Sequence, residues 1–512
     1  MLGVARCDCF TSQAGRSCLV LGGLWEPPRI RPSRSRGGPG KKSAGLIVPS
    51  VSPGKPGERE GALLQSWDSK EVGRSECPTA TNGVDKVRNL QRALYRKSKQ
   101  EKEVRFYSLY DKVWRADVLW EAWRQVKANH GAPGVDGKAI EAIVATGQEE
   151  AMIEQLQTAL RAHRYQFAPV RVVEIPKPQG GTRPLGIATG ADRVVQTAMK
   201  LVLEPIFAAD FHDCSYGYRP KRNAKQASLA IREDLYNHAW GVVEIDFQAY
   251  FTSIPHGKLM KLITKRIADG SMLKFMKQTL QVGKWDKGQV VPTTVGVPQG
   301  SPISPLYSNI YLNLLDQLWH SRAYPAKLGA TLHRYADDAL LVCRKSPRPA
   351  LAAFEAIAKR MDLTLNRDKT RETRLTEGFV FLGFECVKRP SPTSGKKTIY
   401  LFPAKSAQQK IRNKLKYLTS RRAPIRPQEF VAQVNPVLTG WVNYFRHTNA
   451  SQAFRGLQRF VNIRFRRYLT QRRKGRGFGW KRYPNRKLYA MGLAYIGSGK
   501  LEYVAKPVHG SR

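Results

Sequence analysis

A Tyr-Ala-Asp-Asp segment between two strand-like stretches constrains the fold of this 512-residue chain more than any other feature. Tyr335 and Ala336 precede the adjacent carboxylates Asp337 and Asp338, and the apolar run 339–342 follows them. Side chains alternate faces along a strand, so two neighbouring aspartates cannot both be buried on one face. We therefore expect a hairpin turn that directs both toward one point, where their mutual repulsion favours a divalent cation. A simple polar turn between two core strands is the alternative.

A second carboxylate ends another apolar strand earlier in the chain. The run 242–245 precedes Asp246 and is soon followed by Phe251. Phosphoryl transfer by two metal ions needs cations ~3.5–4 Å apart, held by carboxylates from separate backbone segments. Asp246, Asp337 and Asp338 supply that set. One cation would activate a primer 3′-hydroxyl, and the other would neutralise the pyrophosphate leaving group.

Three motifs, in this order, give the chain a family resemblance. Asp246 with Phe251 resembles the first metal motif of reverse transcriptases, and segment 335–338 resembles their Tyr-x-Asp-Asp signature. Segment 296–305 contains the Pro-Gln-Gly-Ser block that lies between the two in the family. The flanking segments make the chain most similar to the bacterial group II intron reverse transcriptase/maturase, over about residues 85–500.

The resemblance implies a fold, an activity and partners. The fold is α+β: a right-hand polymerase with fingers and palm, built from antiparallel sheet plus helices, followed by an α-helical thumb/maturase domain. The activity is that of an RNA-directed DNA polymerase that copies intron RNA and assists its splicing as a maturase. Two Mg²⁺ ions would bind Asp246, Phe247, Asp337 and Asp338. The partners are group II intron RNA, a DNA primer or target, and deoxynucleoside triphosphates.

A hairpin is predicted where two strand-like runs, 172–178 and 183–187, flank a pair of glycines. Lys177 and Arg183 would project near its turn. In the family this hairpin forms the fingers, which close over the incoming triphosphate, and two cations suit that tetra-anion. A solvated edge hairpin is the alternative.

Three other positions are matched to the family's nucleotide site. Phe251 stands where the family excludes a 2′-hydroxyl and so selects deoxynucleotides, although an ordinary core aromatic is the alternative. Gln299 is followed by a glycine with a flexible backbone. The amide side chain and this backbone suit a close approach to the nucleotide sugar and template base. Lys369 matches a basic residue near the leaving phosphates and could protonate pyrophosphate.

The segments beyond the palm predict a primer contact and a helical bundle. Segment 379–384 reads as a strand with a glycine where another backbone can approach. In the family it grips the primer, through Phe381, Leu382, Gly383 and Phe384. Three amphipathic stripes follow, and we expect Pro436 to begin a new helix between them. Segment 435–445 resembles the family's maturase region.

The charge distribution predicts a nucleic-acid partner. The formal net charge is +46 and the pI is ≈ 10.3, which implies a polyanionic partner. Residues 401–512 hold 25 Lys/Arg against two acidic residues, a net charge of +23. Their cations alternate with aromatic residues, which suits structured RNA with exposed loops. The predicted RNA-binding residues are Arg466, Arg467, Arg472, Arg473, Lys474, Lys481 and Arg482.

Composition also sets the expected domain boundaries. Residues 1–83 are rich in Gly, Pro, Ser and Arg, so we expect a disordered extension or a start site assigned too far upstream. A transit peptide is the alternative, but the amphipathic helix it requires is missing. The remaining chain divides into a helical N-terminal extension at 84–165, fingers and palm at 166–400, and thumb/maturase at 401–512.

Cysteine usage and hydropathy limit the other function classes. The seven cysteines form no Cys-x-x-Cys pair and no histidine precedes His130, so neither a zinc site nor a disulfide framework is expected. No apolar run approaches ~20 residues, and we expect a cytosolic, reduced protein without a membrane span. No cysteine follows Cys386, so we expect no Cys/His endonuclease domain and no cutting of target DNA.

Two other functions remain open at this point. One is a splicing-only RNA-binding maturase with a vestigial polymerase, which the retention of all three carboxylates argues against. The other is a domesticated reverse transcriptase that serves repair or phage defence. A folded intron RNA in the flanking DNA would distinguish a mobile element from a domesticated enzyme.

Overall fold

The structure is a computed structural model that describes residues 82–176, 181–236, 239–286, 288–419, 426–472 and 479–497. Nearly all of the predicted extension 1–83 lies outside these ranges, as do Lys177, Arg473, Lys474 and the side chain of Arg472. No helix of the described residues is long and apolar enough to cross a membrane.

The described chain begins with helices that pack on the palm. They are α1 (Asn82–Gln100), α2 (Tyr110–Val113), α3 (Ala116–Ala128), α4 (Ile140–Ala145) and α5 (Glu149–Arg161). In α3 the apolar residues recur at helical spacing, and Val118, Leu119 and Trp123 are buried. Arg266 anchors α1 to the palm, because its Nη2 donates to the Ser98 carbonyl at 2.6 Å.

A small sheet forms the fingers. Its strands are β1 (Val170–Pro176), β2 (Thr182–Ile187), β4 (Lys284–Asp286) and β5 (Gln289–Val291), in the order β2-β1-β4-β5. Strands β1 and β2 pair antiparallel from Arg171 opposite Ile187 to Pro176 opposite Thr182, which is the hairpin that the sequence predicted. The β1–β4 pair is parallel, so this sheet is mixed.

The palm is a four-stranded antiparallel sheet enclosed by helices. Its strands are β3 (Gly241–Ile245), β6 (Ala330–Tyr335), β7 (Asp338–Cys343) and β8 (Arg371–Arg374), in the order β6-β7-β3-β8. Helices α6 (Gly190–Ala208), α7 (Ala224–Tyr236), α8 (Tyr250–Ser253), α9 (His256–Ile263), α10 (Gly270–Gln281), α11 (Ser304–Ser321), α12 (Tyr324–Leu328) and α13 (Pro347–Arg360) accompany it.

The two faces of this sheet belong to two different cores. Leu341 of β7 joins the core that includes residues of α6, α11 and α13. Its neighbours Leu340 and Val342 point the other way and join a core shared with α7 and the thumb. Because both faces are covered, β7 is a continuous apolar run rather than an alternating one.

A second antiparallel sheet joins palm to thumb. It contains β9 (Phe379–Phe381), β10 (Phe384–Pro390) and β11 (Lys397–Pro403), in the order β11-β10-β9. The expectation of one strand over 379–384 was wrong, because the chain reverses there. Leu382 has φ 50° and Gly383 has φ 75°, and a glycine readily adopts such a left-handed conformation.

The thumb consists of helices α14 (Lys405–Leu418), α15 (Pro427–Phe445), α16 (Ser451–Arg472) and α17 (Asn485–Ala490). The expectation that Pro436 begins a new helix was wrong, since Pro436 lies inside α15. Val434, Leu438 and Val442 are buried along one stripe that continues past the proline. Packing of this stripe outweighs the ~3 kcal/mol that an interior proline costs a helix.

Candidate active site

The Asp337–Asp338 pair lies at the hairpin turn between β6 and β7. Tyr335 pairs with Asp338 across the turn, so Ala336 and Asp337 form its two-residue loop. Ala336 has φ 57°, the positive angle that such loops require at their first central position and that glycine usually supplies. Both aspartates are partly exposed while the strands on either side are buried. The carboxylates therefore emerge from a rigid support, as the alternation of side chains predicted.

Asp246 directly follows the neighbouring strand β3, at the same end of the sheet. The last pair of the β3–β7 register is Ile245 opposite Ala339, so Asp246 and Asp338 are the next residues of their two segments beyond that pair. Residues directly opposite each other on antiparallel strands, such as Ile245 and Ala339, have Cα atoms about 4.5–5.5 Å apart. The sheet thus brings together two backbone segments that are far apart in the chain, each with a carboxylate.

The backbone after Asp246 orients one further oxygen. Phe247 bridges Leu365, with Asn366 N–H donating to the Asp246 carbonyl at 2.8 Å and Gln248 N–H donating to the Thr364 carbonyl at 2.8 Å. In this pattern the carbonyl of Phe247 points away from Leu365, toward the strand that carries the aspartate pair. Carboxylates and a backbone carbonyl are hard oxygen donors, which fits a magnesium-like divalent cation.

Lys369 reaches the same carboxylate. Its Nζ lies 3.2 Å from Asp246 Oδ2, and both side chains are partly buried. The sequence matched Lys369 to the leaving phosphates, and the structure places it beside the predicted metal ligand.

The segments that carry Phe251 and Gln299 are joined by a backbone hydrogen bond. The Val297 N–H donates to the Phe251 carbonyl at 2.7 Å, which joins the two predicted nucleotide segments. Phe251 is half-buried on the palm core and meets the Tyr250 ring edge-to-face, with centroids 5.4 Å apart. Tyr250 is fully packed and its hydroxyl donates to the Ser308 carbonyl, so it is the core aromatic of the pair.

The fingers contact the palm through Gln299. Arg183 Nε donates to Gln299 Oε1 at 2.8 Å, and the Gly186 N–H donates to the Gln299 carbonyl at 2.8 Å. Gly300 follows with φ 106°, and an added Cβ would lie 2.6 Å from the Gly186 carbonyl oxygen. A glycine is therefore required where the backbones of fingers and palm touch. Arg183 and Gln299, which were both predicted to bind the nucleotide, contact each other.

Burial perturbs the ionisation of two groups near the aspartates. It raises the pKa of Glu244 to about 7, although the Arg371 charge lowers it. Burial raises the pKa of Tyr250 far above its ordinary value, which keeps the hydroxyl protonated as a donor.

Sequence reasoning missed the role of segment 214–217. Ser215 bridges Arg334, and the Tyr216 N–H donates to the Arg334 carbonyl at 2.8 Å, so this segment runs beside β6. A Cβ on Gly217 would lie 2.3 Å from the nitrogen of Ala336. The glycine between two tyrosines was the available signal. The structure shows this segment supporting the turn that carries Asp337 and Asp338.

The predicted primer contacts need correction. Phe381, Leu382 and Phe384 are 6%, 1% and 1% exposed, so their side chains cannot bind a primer from this position. Phe384 stacks on Tyr444 of α15 with centroids 5.1 Å apart, and the Tyr444 hydroxyl donates to the Leu382 carbonyl. These residues join palm to thumb because they are apolar and face the helices. Gly383 alone of the four is partly exposed.

Some of the predicted RNA-binding residues are buried and others are exposed. Arg466 is 1% exposed, its Nε donates to the Tyr483 carbonyl at 2.7 Å, and its guanidinium lies 4.0 Å from the Trp480 ring centroid. An RNA contact for Arg466 is therefore wrong in this packing. Tyr483 is likewise buried and cannot stack on a base. Three of the predicted cations are exposed: Arg467, Lys481 and Arg482.

One other group of potential metal ligands comes together among the described residues. Ligand atoms of His212, Cys214 and His320 lie within 4.8 Å of one another. His212 Nδ1 accepts the Cys214 N–H, which leaves the proton on Nε2, and burial raises the pKa of the Cys214 thiol well above its usual value. Metals bind neutral imidazole nitrogens and thiolates. In this arrangement the Nδ1 lone pair of His212 is already engaged with the backbone.

Comparisons with known proteins identify two domains. A family model described as "Reverse transcriptase (RNA-dependent DNA polymerase)" matches residues 175–386, and one described as "Group II intron, maturase-specific domain" matches residues 408–487. "Protein YkfC" of Escherichia coli (strain K12) is 31% identical over 372 residues, covering 65% of this chain and 96% of the relative.

Two further relatives are named for introns. "Group II intron-encoded protein LtrA" of Lactococcus lactis subsp. cremoris is 34% identical over 213 residues, which is 41% of this chain and 35% of that protein. "Uncharacterized 91 kDa protein in cob intron" of Schizosaccharomyces pombe is 32% identical over 201 residues, or 39% of this chain and 24% of that protein. The aligned part thus spans a quarter to a third of these two proteins.

Proposed function

The chain belongs to the group II intron reverse transcriptase/maturase family, and from that premise we propose that it copies its intron RNA into DNA and assists the splicing of that RNA. The observation that carries the polymerase half is the register of the palm sheet. Its last β3–β7 pair, Ile245 with Ala339, comes directly before Asp246 on one segment and directly after Asp338 on the other, and Asp337 lies in the adjoining turn. The maturase half rests on the helical region after residue 403 and its exposed cations.

The palm residues divide the polymerase reaction between them. Asp246, Asp337, Asp338 and the Phe247 carbonyl would hold two Mg²⁺ ions, which when bound activate the primer 3′-hydroxyl and neutralise the pyrophosphate. Lys369 then stands near the leaving group, where it can donate a proton. Arg183 would bind the triphosphate after leaving Gln299, and the same role is proposed for Lys177, which lies outside the described residues. Phe251 would close the sugar pocket against a 2′-hydroxyl.

The thumb offers a surface for intron RNA. On α14, Lys410, Lys414 and Tyr417 are exposed at helical spacing along one side, with Tyr417 71% exposed. Exposed cations beside an exposed ring can bind phosphates while the ring stacks on an unpaired base. Arg467, Lys481 and Arg482 add charge on the later segments. We therefore assign intron binding to these exposed residues rather than to the buried Arg466.

One experiment tests both halves. Asp337→Asn should abolish extension of a DNA primer on an RNA template, because an amide lacks the charge that holds Mg²⁺. The same variant should still bind intron RNA and splice it at low magnesium. A variant with Lys410, Lys414, Arg467, Lys481 and Arg482 changed to Gln should do the reverse on a short unstructured template. Normal extension by Asp337→Asn would refute the site, and normal splicing by the Gln variant would refute the surface.

A further inference from the structure

A buried arginine stands behind the catalytic turn and bonds to it. Arg334, the residue before Tyr335, is 0% exposed. Its Nε and Nη2 donate to the Asp316 carboxylate at 2.6–3.0 Å, and Asp316 is also 0% exposed. Its Nη1 donates to Asn309 Oδ1 at 3.0 Å and to the Ala336 carbonyl at 2.8 Å. One guanidinium thus joins a helix to the loop that carries the aspartates.

Asn309 and Asp316 lie on the same helix, α11, about two turns apart and so on one face. Asn309 also holds the other side of the turn, because its Nδ2 donates to the Gly217 carbonyl at 2.8 Å. Gly217 in turn packs against the Ala336 nitrogen. Ala336 has a left-handed φ that residues with a Cβ disfavour, so the surrounding contacts must hold it there.

The same helix supports the first metal segment. Tyr250, four residues after Asp246, donates its hydroxyl to the Ser308 carbonyl of α11 at 2.9 Å. Both carboxylate-bearing segments are therefore tied to neighbouring residues of one helix, Ser308 and Asn309. A rigid common support fixes the distance between them, and metal sites need ligands held to within about 0.5 Å.

We infer that Arg334, Asp316 and Asn309 are positioning residues for DNA synthesis, which fix the backbone on which Asp337 and Asp338 stand. The inference rests on the proposed polymerase function. None of the three is assigned a contact with substrate or metal. Supporting residues around metal ligands typically contribute 10–100-fold to metal affinity or activity, so that is the size of effect expected.

The test separates positioning from stability. A double variant, Arg334→Met with Asp316→Leu, replaces the buried ion pair by apolar side chains of similar size, which folds tolerate well. It also removes the bond to the Ala336 carbonyl. We expect a melting temperature near that of the wild type, kcat reduced about 10–100-fold and half-saturating Mg²⁺ raised about tenfold. The KM for the nucleotide should change far less. Titration of Mn²⁺ into the free protein, followed by electron paramagnetic resonance, should show the weaker metal binding without any turnover.

The chain offers a matched control pair. Arg115 makes a two-bonded contact to Asp117 at 2.7–3.0 Å, at the start of α3 in the N-terminal helices. Arg115→Met with Asp117→Leu makes the same chemical change away from the turn and should leave kcat and the Mg²⁺ dependence unaltered. If the palm double variant does not fold, Asn309→Ala keeps the ion pair and removes the link to Gly217. It should then show a smaller loss, about 3–10-fold in kcat, with the same rise in the Mg²⁺ requirement.

The outcomes are distinguishable. A folded palm variant with wild-type kcat and Mg²⁺ dependence overturns the inference, and so does an equal loss in the control pair. Asp337→Asn runs alongside as the reference for the proposed function. If Asp337→Asn is inactive while the palm variant is fully active, only the positioning role fails. If Asp337→Asn extends primers normally, the polymerase site itself is wrong.

Discussion

The palm and the thumb each bury one arginine almost completely, and they surround it differently. Arg334 in the palm meets a buried carboxylate, and Asp316 raises its pKa although burial alone would lower it. Among the described residues, Arg466 in the thumb contacts the Tyr483 carbonyl, Asn485 and the Trp480 ring, and burial lowers its pKa. The palm thus holds an internal ion pair behind the turn that carries the two aspartates. The thumb surrounds its buried guanidinium with neutral groups.

This contrast matches the function proposed for each region. A metal site needs ligands held in one geometry, and a paired guanidinium with several bonds supplies a rigid support. An RNA surface needs net positive charge in solvent, and a carboxylate partner would cancel it. The difference can be tested at four places, in order of decreasing effect.

Removing each buried arginine should give the largest difference. Arg334→Met leaves Asp316 as an unpaired buried charge, which costs about 3–5 kcal/mol of unfolding free energy. Arg466→Met leaves only neutral acceptors, which costs about 1–3 kcal/mol. Urea unfolding of both variants measures the two values. Equal losses would show that Asp316 is not a buried charge and would remove the contrast.

Nucleotide selection by the palm should depend on the shape of a side chain rather than on its charge. Phe251→Ala opens the sugar pocket, and one such packing contact is worth about 1–3 kcal/mol, so ribonucleotide incorporation should rise roughly tenfold relative to deoxynucleotide. Primer extension with each nucleotide measures the ratio, and intron binding should keep its salt dependence. Tyr250→Phe is the control for the incorporation ratio alone, since it keeps the buried ring but removes the hydrogen bond to Ser308. An unchanged ratio for Phe251→Ala would transfer the role to another residue.

RNA binding by the thumb should depend on the charge of its exposed side chains rather than on their shape. Changing Arg467, Lys481 and Arg482 to Gln should make RNA binding less dependent on salt. The slope of the logarithm of the RNA binding constant against the logarithm of the salt concentration should fall in magnitude by up to about 2, because each lost phosphate contact contributes ~0.7 on a single strand. Arg466→Gln is the internal control and should leave the slope unchanged while it lowers stability. Equal slopes for all the proteins would mean that the exposed cations do not touch phosphate.

The palm–thumb joint should give the smallest effect, through His447. Its Nε2 lies 2.9 Å from Ser228 Oγ of α7, and burial lowers its pKa to about 4. The unfolded chain then binds a proton at higher pH than the folded one, so this contribution is complete above about pH 6.5 and is lost as the pH falls toward 4. The side chain is partly exposed, so solvent screening keeps the change below about 1 kcal/mol. His447→Gln should flatten stability over this pH window, and an unaltered pH profile would exclude His447.

Local pattern determined the parts of the fold that depend on neighbouring residues. Alternation around Asp337 predicted the hairpin turn, and the paired glycines predicted the β1–β2 hairpin, because period-two patterns and turn residues act over a few positions. Helical spacing predicted the thumb stripes in the same way. The order of the three motifs then identified the family, and with it the antiparallel palm.

Tertiary packing alone decided which polar residues lie inside and what they do there. Arg334 and Arg466 look like any other cations in the sequence, and their burial depends on partners in other elements, Asp316 for one and Tyr483 for the other. Pro436 stays within α15 because the buried stripe on either side offsets its local cost. The chain reverses direction at Leu382–Gly383 because both β9 and β10 pack on the thumb. A sequence records propensity residue by residue, whereas burial is a property of the assembled surfaces.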